Sequence, residues 1–154
     1  MKIALLNDTH FGVRNDSMIF DEYLHKFYEE IFFPYLEKHN IKTLIHLGDV
    51  VDRRKFINHN TAHNFKKVFW NKLEELNIDT HIIIGNHDTY YKNTNEVNAL
   101  QNLNISKDAK IYTRPDTVNF DGLDILFLPW ICDDNHDDSI YAIDNSTTTI
   151  AMGH

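Results

Sequence analysis

Asp8 and His10, Asp49 and Asp52, and Asn86 and His87 each stand just after a short apolar run: Ile3-Ala4-Leu5-Leu6, Leu44-Ile45-His46-Leu47 and Ile82-Ile83-Ile84. A fourth run, Thr147 to Met152, ends at Gly153-His154. Carboxylates, one amide oxygen and imidazoles at strand ends form a ligand set suited to a pair of Mn²⁺-, Fe²⁺- or Zn²⁺-like ions. Asp49 is a candidate bridge between two ions, with Asp8 and His10 on one and Asn86 on the other. Two such ions hold both oxygens of an in-line displacement at phosphorus and turn a water into a nucleophile. His87, next to Asn86 but pointing elsewhere on the backbone, is placed to protonate a leaving alkoxide. Asp52, three residues past Asp49, is expected to orient that imidazole.

The elements that must position these residues are legible in the same runs. Lys2 to Leu6 reads as a central strand. From Ser17 to His39, Ile19, Phe20, Tyr23, Leu24, Phe27, Ile31 and Leu36 recur at helical spacing, an aromatic stripe expected to pack in the core. Pro34 predicts a kink near Phe32 and Phe33. A second strand follows Asn40-Ile41. Then comes a helix to Leu76 with Thr61 as its cap and Phe65, Val68, Phe69, Leu73 and Leu76 inward. Asp79 to Ile84 is the third strand. Strand–helix–strand–helix–strand is the signature of an α/β protein with a parallel sheet. Beyond it, Lys110-Ile111-Tyr112, Thr117 to Phe120 and Leu123 to Leu128 read as short strands, the last two joined at Asp121-Gly122 as a hairpin. Ser139 to Ile143 reads as a short helix.

At 154 residues the chain has room for one domain with a real core. No stretch is long or apolar enough to span a membrane, and the single cysteine, Cys132, fits a reducing cytoplasm as a small hydrophobe. The formal charge of −8 argues against a general nucleic-acid surface, but two divalent cations would bring it to −8 + 4 = −4 with positive charge concentrated at the site. His46, His81 and His136 read as solvated or hydrogen-bonded, and His59 with His63 as a solvated helix start. Asp133 to Asp138 lacks the spacing of a calcium loop and reads as a surface turn. Arg53, Arg54 and Lys55, and likewise Tyr90, Tyr91 and Lys92, read equally as DNA-phosphate contacts or as solvated loop residues.

Asp8-x-His10, Gly48-Asp49-x-x-Asp52, Gly85-Asn86-His87-Asp88 and Gly153-His154 together resemble the calcineurin-like metallophosphoesterases. Within them, the Phe-rich first helix, the stretch from Gly85 to Asn93 and Leu128-Pro129-Trp130 resemble SbcD-type DNA repair nucleases, above all the recombination endonuclease subunits of large tailed phages. The likeness runs over residues 1–154. It implies an α/β/β/α sandwich, an activity on DNA in recombination, repair or replication, and two divalent ions, Mn²⁺ foremost. It places Asp8, His10 and Asp49 on the first ion, Asp49, Asn86 and His154 on the second, and makes His87 the general acid. The implied partners are DNA, an SbcC-type ATPase and a second copy of the chain, in a cytoplasm (the host's, if phage-encoded).

The family pattern continues with a Gly-His-x-His motif that this sequence does not reach. It also continues with a DNA-capping domain and ATPase-docking helices. The expectation is therefore of a domain truncated before that motif, with three protein ligands per ion. Two other functions stand beside the nuclease. Gly48 to Arg53 is close to a phosphatase motif in which the arginine grips phosphate, although Arg54 replaces the expected glycine. A catalytically silent fragment of the nuclease is the other.

Overall fold

The computed structural model describes residues 1–103 and 109–154. Its main sheet is four parallel strands in the order β1 (Ile3–Leu6), β2 (Thr43–His46), β3 (Asp79–Ile83) and β4 (Ala109–Tyr112). Sequential order means that the ends of β1, β2 and β3, which carry candidate residues, lie side by side. Long helices α1 (residues 18–38) and α2 (residues 59–75) link the first three strands. They cover one face of the sheet with a core of Tyr28, Phe32, Leu36, Leu44, Phe65 and Phe69 among others. Fully burying each such side chain contributes about 1.5–3 kcal/mol.

A second sheet pairs β5 (Asp116–Phe120) antiparallel to β6 (Leu123–Leu128), and β6 parallel to β7 (Ile150–Gly153). The hairpin turns at Asp121 and Gly122, both at positive φ (56° and 91°), as a type I′ turn requires. Ile45 and Ile83 from the main sheet meet Phe120, Ile125 and Phe127 from the second, so the two sheets pack face to face. A short helix α3 (Ala99–Asn102) precedes β4. Helix α4 (His136–Asn145), longer than the Ser139–Ile143 expected, lies between β6 and β7. The fold is α/β, with sheet, sheet and helix layers in view.

Both long helices depart from expectation in detail. α1 does not break at Pro34. Its backbone passes into a π turn at Tyr28–Phe32, where the N–H of Phe33, the residue just before the proline, reaches the Tyr28 carbonyl. A proline has no N–H to give, and the wider turn absorbs that loss. The expected core stripe is only partly inward. Leu24, Tyr28, Phe32 and Leu36, spaced by four, face the sheet, whereas Ile19 is 79%, Tyr23 73% and Ile31 60% exposed, with Phe20 also exposed. The cap of α2 is Asn58, whose side chain accepts from the Asn60 N–H at 2.9 Å. Thr61 instead lies inside the helix, donating to Asp16 at 2.6 Å.

Candidate active site

The loops that follow β1 and β2 are zipped together by backbone hydrogen bonds, Asp8 N–H to Gly48 O, His10 N–H to Asp49 O and Phe11 N–H to Val50 O (3.2, 3.0 and 2.8 Å). Asp8, His10 and Asp49 all sit at positive φ, 52°, 42° and 53°. Such backbone is costly for a residue with a side chain, and it persists where surrounding bonds over-determine it. Here it turns all three side chains to one side. Two glycines let the loops touch. A Cβ on Gly85 would collide with the Asp49 amide nitrogen and carboxylate, and one on Gly48 would lie 2.7 Å from the His154 ring.

Beneath the loops, His46 is buried at the carboxyl end of β2, paired with Leu6 of β1. Its Nδ1 accepts from the Gly48 N–H (3.2 Å), so Nε2 carries the hydrogen and donates to Thr9 Oγ1 at 3.0 Å, which donates in turn to the Val50 carbonyl (3.2 Å). Burial drives the His46 imidazole down to about 3, so it stays neutral. The third loop is held by Asp88, whose carboxylate accepts from Gly85 N–H (2.9 Å) and Val51 N–H (3.1 Å). Burial pushes Asp88 up to about 6 against those two donors.

Above this support the candidate ligands converge. Asp49, 4% exposed, takes part in two groups whose ligand atoms lie within 4.8 Å of one another, His10–Asp49–His87 and Asp8–Asp49–His154. His10 Nε2 is 3.5 Å from Asp8 and 3.7 Å from Asp49. His154 gives its Nδ1–H to the Leu47 carbonyl (2.8 Å), which leaves Nε2 facing Asn86 Oδ1 at 3.0 Å and Asp49 Oδ1 at 3.4 Å. Three acceptors thus meet with no hydrogen among them unless the imidazole takes a second proton. Its bond with the Asp49 carboxylate, and the Leu47 carbonyl, raise His154 to about 9 despite burial. Burial opposes ionisation of Asp49, but His154 and the His87 N–H (2.7 Å) outweigh it and hold the carboxyl low. Negative oxygens, an amide oxygen and imidazole lone pairs turned on one another are a donor set that a divalent cation satisfies, and these residues fit one.

The His87 ring lies edge-on to His10, centroids 5.0 Å apart. Its Nδ1 contacts the Asp52 backbone carbonyl at 2.5 Å; a carbonyl only accepts, so Nδ1 carries the hydrogen and Nε2 is the nitrogen left for chemistry. This corrects the role expected of Asp52. Its carboxylate lies 3.6 Å from His10 Nδ1, and only its backbone orients His87. The cause is the bridge between Phe11 and Val51, with the Asp52 N–H on the Phe11 carbonyl (3.1 Å), which fixes the peptide so that carbonyl and side chain diverge.

Arg53 is engaged elsewhere, 3.0 Å from Asp16 and donating to Asn15 at 2.7 Å, across a turn whose Arg14, Asn15 and Asp16 are all left-handed. Arg54 lies over the Trp130 ring, and Tyr91 and Lys92 are exposed. Sequence reasoning assigned no role to Asp88 or His46. The signal for Asp88 was its place in Gly85-Asn86-His87-Asp88, and for His46 a polar residue inside a strand buried on both faces.

A family model described as calcineurin-like phosphoesterase matches residues 1–154. Exonuclease subunit 1 of Enterobacteria phage T4 is 36% identical over 159 aligned residues, which take in 100% of this chain and 45% of that protein. The chain thus spans about half the length of this relative. Among solved structures, a protein of unknown function from Aquifex aeolicus aligns with 92% of this chain and 69% of its own, at 20% identity and a TM-score of 0.46.

Proposed function

The chain belongs to the calcineurin-like phosphoesterases, and from that premise we propose that it is the catalytic part of a metal-dependent nuclease that hydrolyses phosphodiester bonds in DNA. The observation that carries the reading is Asp49, buried and common to two groups of ligand atoms, one of which includes the His87 imidazole with its free Nε2. The relative from phage T4 carries the name of an exonuclease subunit, which supports DNA as the substrate. Arg53, bound to Asp16, is not free to grip a phosphate, which weighs against the phosphatase reading.

Asp8, His10 and Asp49 would hold one divalent ion and Asp49, Asn86 and His154 the other, both Mn²⁺ in this proposal, with the additional histidines of the family motif absent from this sequence. When bound, the ions neutralise phosphoryl oxygens and make a water acidic enough to attack phosphorus. Asp49, common to both groups of ligand atoms, would serve both ions. His87 is held by the Asp52 carbonyl with its Nε2 toward the cluster. As an imidazolium it gives that Nε2 proton to the departing oxygen while the phosphorus–oxygen bond breaks. The left-handed loops orient these groups in advance, so no reorganisation is needed when substrate arrives.

The proposal extends to partners. DNA and an SbcC-type ATPase are the two expected from a nuclease subunit. A second copy of the chain is the third, set against the exposed apolar face of α1, where Met18, Ile19, Tyr23, Ile31 and Tyr35 lie open. Among the described residues no helix is long and apolar enough to cross a membrane. The proposed location is the cytoplasm, the host's if the chain is phage-encoded.

The test compares the chain with His87→Ala by Mn²⁺ calorimetry and by degradation of end-labelled duplex DNA. The variant is expected to lose cleavage by about 100-fold or more while keeping its Mn²⁺ affinity. Loss of Mn²⁺ binding would make His87 a ligand instead, and unaltered cleavage would remove it from the chemistry.

A further inference from the structure

We propose that the groove between Phe56 and Tyr90 receives an unpaired nucleobase of the strand being cut, an inference that rests on the nuclease reading above. The groove has a volume of about 260 Å³, with Arg54, Lys55, Phe56, Tyr90, Val97 and Asn98 on its walls. It begins two residues after Asp52 and is closed by a side chain three residues after His87. Both of its flanking segments thus lead directly out of the loops that carry the candidate site.

Its walls combine two features that a nucleotide uses together. Phe56 is 60% and Tyr90 40% exposed, large rings left out of the core. Consecutive cations stand over rings here: Arg53 over Phe56 (4.9 Å), Arg54 over Trp130 (4.9 Å) and Lys55 over Tyr90 (5.9 Å). Among the described residues one other such pair exists, Arg14 with Phe20. In a chain of net charge −8, three adjacent cations ordered on aromatic faces are a local exception. Arg54 Nη1 is also buried without a hydrogen-bond partner, a donor not met by the protein.

A planar base stacks on an aromatic face irrespective of its identity, and Arg54 and Lys55, the two cations on the groove wall, meet its phosphates, whereas Arg53 stays with Asp16. A free phosphate would make no use of the rings. A base in intact duplex is already stacked on its neighbours, so the groove takes a base from a single strand or a frayed end.

The test is fluorescence anisotropy in buffer containing EDTA, which separates binding from cleavage. The probes are a labelled oligothymidylate and a strand of equal length whose sugars carry no base. The chain is expected to bind oligothymidylate about ten-fold more tightly than the base-free strand. Phe56→Ala and Tyr90→Ala should each erode that preference without altering affinity for the base-free strand, and Tyr90→Phe should retain it. Both side chains are surface-exposed, and thermal melts monitored by circular dichroism check that the variants remain folded. Equal affinity for the two strands, or a preference that survives both alanine variants, overturns the subsite. Degradation of duplex DNA with Mn²⁺ is measured in parallel. A base preference without cleavage sinks the nuclease reading and leaves the groove standing; cleavage without a base preference sinks the groove alone.

Discussion

At the carboxyl ends of β1, β2, β3 and β7, Asp49, Asn86 and the His154 Nε2 close on one another with at most the one hydrogen of a doubly protonated His154 between them, and His10 lies among three carboxylates. In the amino-terminal half of β3 and on β4 beside it, the same residue types form a cluster in which each acceptor has a donor. Lys110 reaches Asp79 at 2.8 Å, the His81 Nε2–H points to Asp79 at 3.3 Å, and the Tyr112 hydroxyl donates to His81 Nδ1 at 2.8 Å. Burial lowers His81 despite Asp79, and the bonds from Lys110 and His81 hold Asp79 low despite burial. One end of the sheet carries its own cation in Lys110, while at the other the groups around Asp49 form a ligand set suited to one. A cluster of Asp and His is therefore read as a site by its unmet acceptors rather than by its composition.

Paired substitutions test that contrast most severely. Asp49→Asn is expected to weaken Mn²⁺ binding by more than about 100-fold, above the 10–100-fold typical of removing an outer partner. The rise in melting temperature that Mn²⁺ gives the unaltered chain should vanish with it. Asp79→Asn, at a half-exposed pair screened by solvent, should cost under about 1 kcal/mol of stability and leave Mn²⁺ affinity alone. Calorimetry and thermal melts with and without Mn²⁺ read both. If Asp49→Asn binds Mn²⁺ as before, the facing acceptors are ordinary packing and the contrast fails.

His46 sharpens the comparison from within the site end, because the support under the loops is saturated like the distant cluster. Its folded value near 3 lies below the ordinary 6.5. A depressed value gives stability that is present above 6.5 and lost as pH falls toward 3, since the unfolded chain binds the proton first. At pH 5 this group alone removes about 2 kcal/mol relative to pH 8. Urea midpoints across that range should decline, and His46→Gln should flatten the decline. A slope unchanged in the variant would assign the acid sensitivity to other groups.

Much of the site end was legible because β-branched runs that stop at glycine, asparagine and aspartate mark strand ends, and parallel topology puts such ends side by side. Asp8, His10, Asp49, Asn86 and His87 come together for that reason, whereas His154 arrives from the end of β7 in the second sheet. What escaped depends on atoms or angles that residue identity does not carry. The Asp52 contact with His87 is made by a backbone carbonyl. Arg53 is drawn to Asp16 only because residues 14–16 adopt left-handed backbone. Ile19, Tyr23 and Ile31 share helical spacing with the buried residues, and periodicity alone does not separate a core face from a second apolar face. Asn58 and Thr61 are both good caps in type; the choice went to the residue whose backbone is extended, φ −62° and ψ 138°.

An effect smaller than those expected at Asp49 and His46 comes from the far cluster, and it bears on whether the two ends are independent. Tyr112→Phe keeps the ring that stacks on His81 (centroids 5.8 Å apart) and deletes only the hydroxyl. That hydroxyl is a firm donor, since burial, with Asp116 and Asp79 nearby, pushes Tyr112 up to about 12. Without it, His81 Nδ1 is left unpaired on a side chain only 2% exposed. Leaving a buried acceptor unmet costs about 1–3 kcal/mol, and the half-buried position of Tyr112 lets water reach it, which favours the lower end. For a chain of this size 1 kcal/mol moves the melting temperature by about 2–4 °C. Mn²⁺ affinity and DNA cleavage should not move, because His81 lies at the other half of β3 from Asn86 and its partners are all internal to the cluster. A fall in melting temperature with both activities intact keeps the ends separate. A change in Mn²⁺ affinity would mean that β3 transmits strain along its length, and that the saturated cluster helps to set the geometry of the unsaturated one.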